Sequence, residues 1–86
     1  METLKVSAKS VPKAVAGAIA AVIRQGQDVQ TVAIGASAVN QSVKSIVVAR
    51  RYLTPEGIEL VCVPDFDEIE INGSKKTTVK FTIESR

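Results

Sequence analysis

The sequence predicts an α/β chain of the two-layer α+β kind: βαβαββ order, a four-stranded mixed sheet, and two helices on one face. Three observations predict it. An alternating run at residues 3–8 and a short apolar run at residues 29–34 are each followed by a longer stretch with helical spacing. The last third of the chain alternates at period two around Asn72-Gly73, a strong hairpin signal. Two consecutive strand–helix units favour parallel neighbouring strands joined by right-handed crossovers.

Each element has its own cause. Leu4, Val6 and Ala8 alternate with Lys5 and Ser7, so residues 3–8 read as a strand. Ser10-Val11-Pro12 reads as a helix start, with Ser10 as the cap and proline where its missing N–H costs nothing. That helix is expected to run to about Gln25 and stop at Gly26. Its stripe is Val11, Val15, Ile19, Val22 and Ile23, widened by Gly17, Ala20 and Ala21. Apolar residues around most of the girth ask for cover on more than one side, by a neighbouring helix or a subunit interface.

Val29–Ile34 reads as a central strand, apolar on both faces at Val32, Ala33 and Ile34. Gly35 and Ser37 open a second helix expected to reach Leu53, with Val39, Val43, Ile46, Val47 and Leu53 as its core stripe. Thr54-Pro55-Glu56-Gly57 is a stop and turn. Ile58–Val63 reads as a third strand ending near Pro64. Asp65–Glu68 reads as a solvated acidic loop, since it lacks the spacing and glycine of a calcium loop. Thr77–Glu84 is the fourth strand, with Val79, Phe81 and Ile83 facing one way and Lys80, Thr82 and Glu84 the other, as in a sheet covered on one face. No repeat or linker interrupts residues 1–86, so one domain is expected.

Composition narrows the chemistry. Eighty-six residues give a small core and about 4–13 kcal/mol of stability, so oligomerisation would help. There is no Trp, and Tyr52, Phe66 and Phe81 are the only aromatics, a poor supply for stacking single-stranded bases. Histidine is absent, which removes the commonest general base and metal ligand. The lone Cys62 lies in an apolar run and reads as a buried small hydrophobe. One cysteine makes no internal disulfide, and no leader pattern precedes the first strand, so a reducing cytoplasm is expected. Ala14–Ile23 is too short to span a membrane. These points argue against an enzyme and against any cofactor or metal.

Charge is uneven although the net is only +2. Residues 1–55 carry seven bases and two acids, residues 56–70 six acids and no base, residues 71–86 four bases and one acid. A non-specific polyanion binder is usually more basic overall, but a local basic surface remains open. The two strand-to-helix loops should emerge at one end of the sheet. Loop one brings Lys9, Ser10 and Lys13; loop two brings Gly35 and Ser37, followed by Asn40, Gln41 and Lys44. Two helix N-termini with lysines within a turn make a phosphate cradle, though neither GxGxxG nor a P-loop is present. Arg50-Arg51 would form a second patch or complement the helix dipole, and Lys75-Lys76 fall near the hairpin tip.

The segments LKVSAKSVPKAVAGAIAAVIR, AIGASAVNQSVKSIVVARRYL and GIELVCVPDFDEIEI together resemble the stage V sporulation protein S family, Gly35–Lys44 being the most specific portion. The resemblance implies an Alba-like sandwich in a small cytoplasmic bacterial regulator of sporulation, septation or development, without enzymatic activity. The Alba comparison implies a homodimer that binds DNA or RNA through the first loop, the second helix start and the hairpin arms. By position, Lys9 matches the loop lysine, whereas Ser10 stands beside it in place of a second lysine. Ala36-Ser37 stands where Alba-type proteins tend to place arginine.

Two functions follow as expectations. The first is a nucleic-acid-binding homodimer, open to higher assembly. In it Lys9, Lys13, Lys44, Arg51, Lys75 and Lys76 meet phosphates, Ser10 and Ser37 present backbone N–H groups, and Asn40 and Gln41 add polar contacts. The second is an adaptor whose acidic hairpin meets a basic protein partner.

Overall fold

The structure, a computed structural model, describes residues 1–86. Its elements are β1 (Glu2–Val6), α1 (Pro12–Arg24), β2 (Val29–Ala33), α2 (Ala36–Leu53), a single 3-10 turn at Thr54–Glu56, β3 (Leu60–Ile71) and β4 (Ser74–Ser85). The sheet order is β1-β2-β4-β3, with β1 parallel to β2 and the other pairs antiparallel. β2 is internal, as its two-sided apolar run predicts.

One sheet face carries Leu4 and Val6, Val29, Thr31 and Ala33, and Val79, Phe81 and Ile83, which stand beside one another in register. The core forms where this face meets Ile19 and Ile23 of α1 and Ala49 and Leu53 of α2. Each large aliphatic fully buried there contributes about 1.5–3 kcal/mol. On the opposite face Lys5, Val32 and Lys80 stand in one row, and Gln30 donates to the Thr3 hydroxyl at 2.7 Å. Both helices therefore cover one face, as the alternation in β4 predicts.

α1 ends as its glycine predicts. Gly26 takes φ +79°, its N–H bonds the Ile23 carbonyl at 2.9 Å, and the Gln27 N–H bonds the Val22 carbonyl at 3.3 Å. Its start differs from expectation. The cap position is Val11 with no side-chain cap bond. Ser10 instead closes a turn: its N–H bonds the Ser7 carbonyl at 3.1 Å, and its hydroxyl accepts the Ser7 N–H at 2.9 Å. That turn also ends β1 at Val6, two residues early.

The inward face of α2 is Ala38, Ser42, Ser45, Ala49 and Leu53. Of the expected stripe only Leu53 is buried; Val39 and Ile46 are half-buried, while Val43 and Val47 are 44% and 46% exposed. The cause is close helix packing. α1 presents Ala16 and Ala20, fully buried, and the small residues of α2 let the two backbones approach. Ser42 and Ser45 satisfy their hydroxyls on the Ala38 and Gln41 carbonyls one turn back, so neither leaves an orphan donor. A neighbouring helix thus supplies much of the cover that α1 requires.

β3 runs through Pro64 to Ile71, and Asp65–Glu68 is strand, not loop. Proline is tolerated because β3 is an edge strand, pairing only with β4. Asn72 (φ +51°) and Gly73 (φ +78°) make the tight turn. β4 pairs with β2 only from Val79 to Ile83, so the rest of the hairpin projects as an arm. The molecule measures 44 × 22 × 16 Å. Cys62 is exposed, contrary to expectation: it stands on the helix-facing side of the edge strand, at an open cavity with Val43, Ile46 and Val47 of α2.

Candidate functional site

β1 and β2 are parallel, so the loops that follow them leave the same end of the sheet. Lys9 sits in the Ser7–Ser10 turn, Lys13 in the first turn of α1, and Lys44 in the third turn of α2. Lys13 and Lys44 border one groove, whose apolar lining is chiefly Val11, Val43 and Val47. The two loops are braced directly: the Gln41 side-chain amide donates to the Ser10 carbonyl at 2.9 Å. The Ser7 hydroxyl accepts the Lys9 N–H at 3.2 Å and shapes the turn that carries the lysine. Lys9 and Lys13 therefore stand at one end, and Lys44, midway along α2, borders the groove beside Lys13; all three side chains are exposed.

Within residues 1–55 the acids stand away from this end, although the arm brings Asp65, Asp67, Glu68 and Glu70 to the same side. The only acids among residues 1–55 are Glu2, at the start of β1, and Asp28, just before β2. Both lie at the opposite ends of the parallel strands. α2 opens at Gly35, and its first intrahelical bond runs from the Val39 N–H to the Gly35 carbonyl at 3.0 Å. The Ala36, Ser37 and Ala38 N–H groups thus have no acceptor within the helix, and they carry the positive end of its dipole. Exposed Ser37 and Asn40 stand in this first stretch. Gly35 takes φ +87° and ψ 157°, a conformation that is almost glycine's alone.

Two expected roles change. The Ser10 N–H and hydroxyl are engaged within the turn, so Ser10 shapes the loop and does not present its N–H outward. Gln41 is half-buried and spends one amide hydrogen on the brace. Arg51 lies at the far end of α2, about 21 Å along the axis from Ser37 at 1.5 Å per residue. It does not join this end.

The arm projects from the same end as the loops, because β4 continues past Ala33, the last residue of β2. Ile69, Ile71 and Thr78 of the arm line a notch with Lys5, Ser7 and Ile34. Lys75 and Lys76 lie at the arm tip, with Lys75 opposite Glu70 and Lys80 opposite Asp65. The acidic segment is thereby divided. Glu56 is held by Arg24 through Nε and Nη2 at 2.6–3.1 Å, and Glu59 by Arg86 at 3.3 Å. Hydrogen bonding to Arg24 lowers the Glu56 pKa, and the same bond raises that of Arg24. The four arm carboxylates alternate between faces, so they make no continuous acidic patch: Asp65 and Asp67 on one, Glu68 and Glu70 on the other.

Sequence reasoning missed the exposed valines of the groove. Val43 and Val47, four residues apart, carry the spacing of a core stripe, and only the Ala/Ser pattern beside them signals the true inward face. A family model described as stage V sporulation protein S (SpoVS) matches residues 2–86 of the chain.

Proposed function

The chain belongs to the stage V sporulation protein S family, which implies a sporulation-related role, and on that premise we propose a regulator that binds DNA or RNA as a cytoplasmic homodimer. The supporting observation is the placement of Lys9 and Lys13 at the end where α2 leaves three N–H groups without helical acceptors, with Lys44 bordering the groove beside Lys13. Lysines there neutralise phosphates, and the helix start receives a phosphate oxygen. Asn40 and the remaining amide capacity of Gln41 contact sugar or phosphate and set register. Lys75 and Lys76 extend the surface along the arm. The proposed action is binding without catalysis and without a cofactor. No helix is long and apolar enough to cross a membrane.

The test is titration of labelled DNA and RNA at several salt concentrations. A dimer engaging about four to six phosphates gives a log–log slope of about −4 to −5 on duplex DNA. Folded protein that binds neither polymer at low salt overturns the proposal.

A further inference from the structure

Two exposed features of the chain are complementary. The first is the groove of Val11, Val43 and Val47 between Lys13 and Lys44. Its valines are 62%, 44% and 46% exposed, so the chain leaves much of their surface open. The second is the arm. Phe66, 74% exposed, is the most exposed large hydrophobic of the chain. Strand alternation puts Pro64, Phe66, Glu68 and Glu70 on one face of the arm, and register adds Val79 beside Phe66. That face reads as an apolar knob followed by Glu68 and then by Glu70 with Lys75 opposite it. The groove reads as an apolar floor bordered by two ammonium groups.

We propose that the arm of one copy docks in the groove of a second copy, with Phe66 seated among Val11, Val43 and Val47 and Glu68 and Glu70 facing Lys13 and Lys44. An aromatic side chain moved from water into an apolar groove supplies the anchor, and the opposed charges fix direction and register. Glu68 lies opposite Thr77 in register, whereas Glu70 lies opposite Lys75, so Glu68 is the carboxylate with no directly opposed cation to compete with the incoming ammonium. Docking covers Lys13 and Lys44. If those lysines bind phosphate as proposed above, nucleic acid and the second copy's arm compete for them. That consequence rests on the nucleic-acid proposal; the docking itself does not.

Sedimentation of the full chain without nucleic acid, over a wide concentration range, tests the docking. The wild type should self-associate, and Phe66→Ser should weaken association about tenfold or more. Phe66 is exposed, so this change leaves the core intact, and circular dichroism checks the fold. The double variants Lys13→Glu/Lys44→Glu and Glu68→Lys/Glu70→Lys should each associate poorly alone and associate with one another when mixed. A wild type that stays monomeric, an association indifferent to Phe66→Ser, or a mixture that fails to associate overturns the proposal. Intact docking in a protein that binds no nucleic acid overturns only the nucleic-acid proposal.

Discussion

Replacing Thr31 by valine should stabilise the protein. Thr31 lies on the helix-covered face of β2, fully buried between Leu4 and Phe81 in register. Its hydroxyl is the one buried side-chain polar atom without a hydrogen-bond partner. An unsatisfied buried hydroxyl costs about 1–3 kcal/mol. Valine keeps the branched shape and the strand preference while removing that cost. Threonine-to-valine exchanges usually lose a hydrogen bond, but here there is none to lose. For a domain of this size each kcal/mol raises Tm by about 4–8 °C, so a rise of roughly 4–24 °C is expected. Urea unfolding should show a higher midpoint at unchanged slope. Thr31→Ser is the control: it keeps the hydroxyl, loses a methyl, and should be destabilised by roughly 1 kcal/mol. A Thr31→Val protein less stable than the wild type by 1 kcal/mol or more would refute the reasoning, because the hydroxyl would then have a partner in solution.

Three further outcomes follow from the same geometry. Gly35→Ala should cost about 1–3 kcal/mol in denaturant unfolding, purely from backbone strain, since a Cβ there meets no atom within 4 Å. Gln41→Ala should loosen the Ser7–Val11 loop, read as faster amide exchange there, and should weaken nucleic-acid binding through the Lys9 turn while β3 and β4 exchange as before. Glu56 should titrate below an ordinary exposed glutamate in a carboxyl NMR titration. Its contribution to stability is full above the unfolded-state pKa and disappears as pH falls through the lower folded one. Glu56→Gln should flatten that acid limb of the stability profile.

Much of the fold is legible in particular residues. Gly26 marks the end of α1, Asn72-Gly73 marks the hairpin turn, and the alternation around Phe81 marks the covered face, because each reports a local conformational demand. The misreadings share a different cause. The inward face of α2 is made of Ala38, Ser42, Ser45 and Ala49, so hydrophobic spacing picks the larger valines beside it. What decides the matter is the close approach of α1, a tertiary fact. Pro64 stops a central strand but not an edge strand, and edge position emerges only from the sheet order. At the candidate site the lysines were legible as charges on two loops, whereas the Gln41 brace needed the loops in place. Ser10 has the composition of a cap but serves a turn, because Ser7 lies three residues before it.

The location of nucleic-acid contact is tested most directly by backbone amide shifts of the labelled protein titrated with a short duplex and with a short RNA. With at least one of them, the largest changes should fall on Lys9, Lys13 and the stretch from Ala36 to Lys44, with smaller ones at Lys75 and Lys76. Arg24, Arg51, Glu56 and Arg86, at the opposite end, should stay still. Shifts centred on Arg50 and Arg51, or no shifts with either polymer at low salt, would contradict the assignment of the lysine-bearing end as the binding surface.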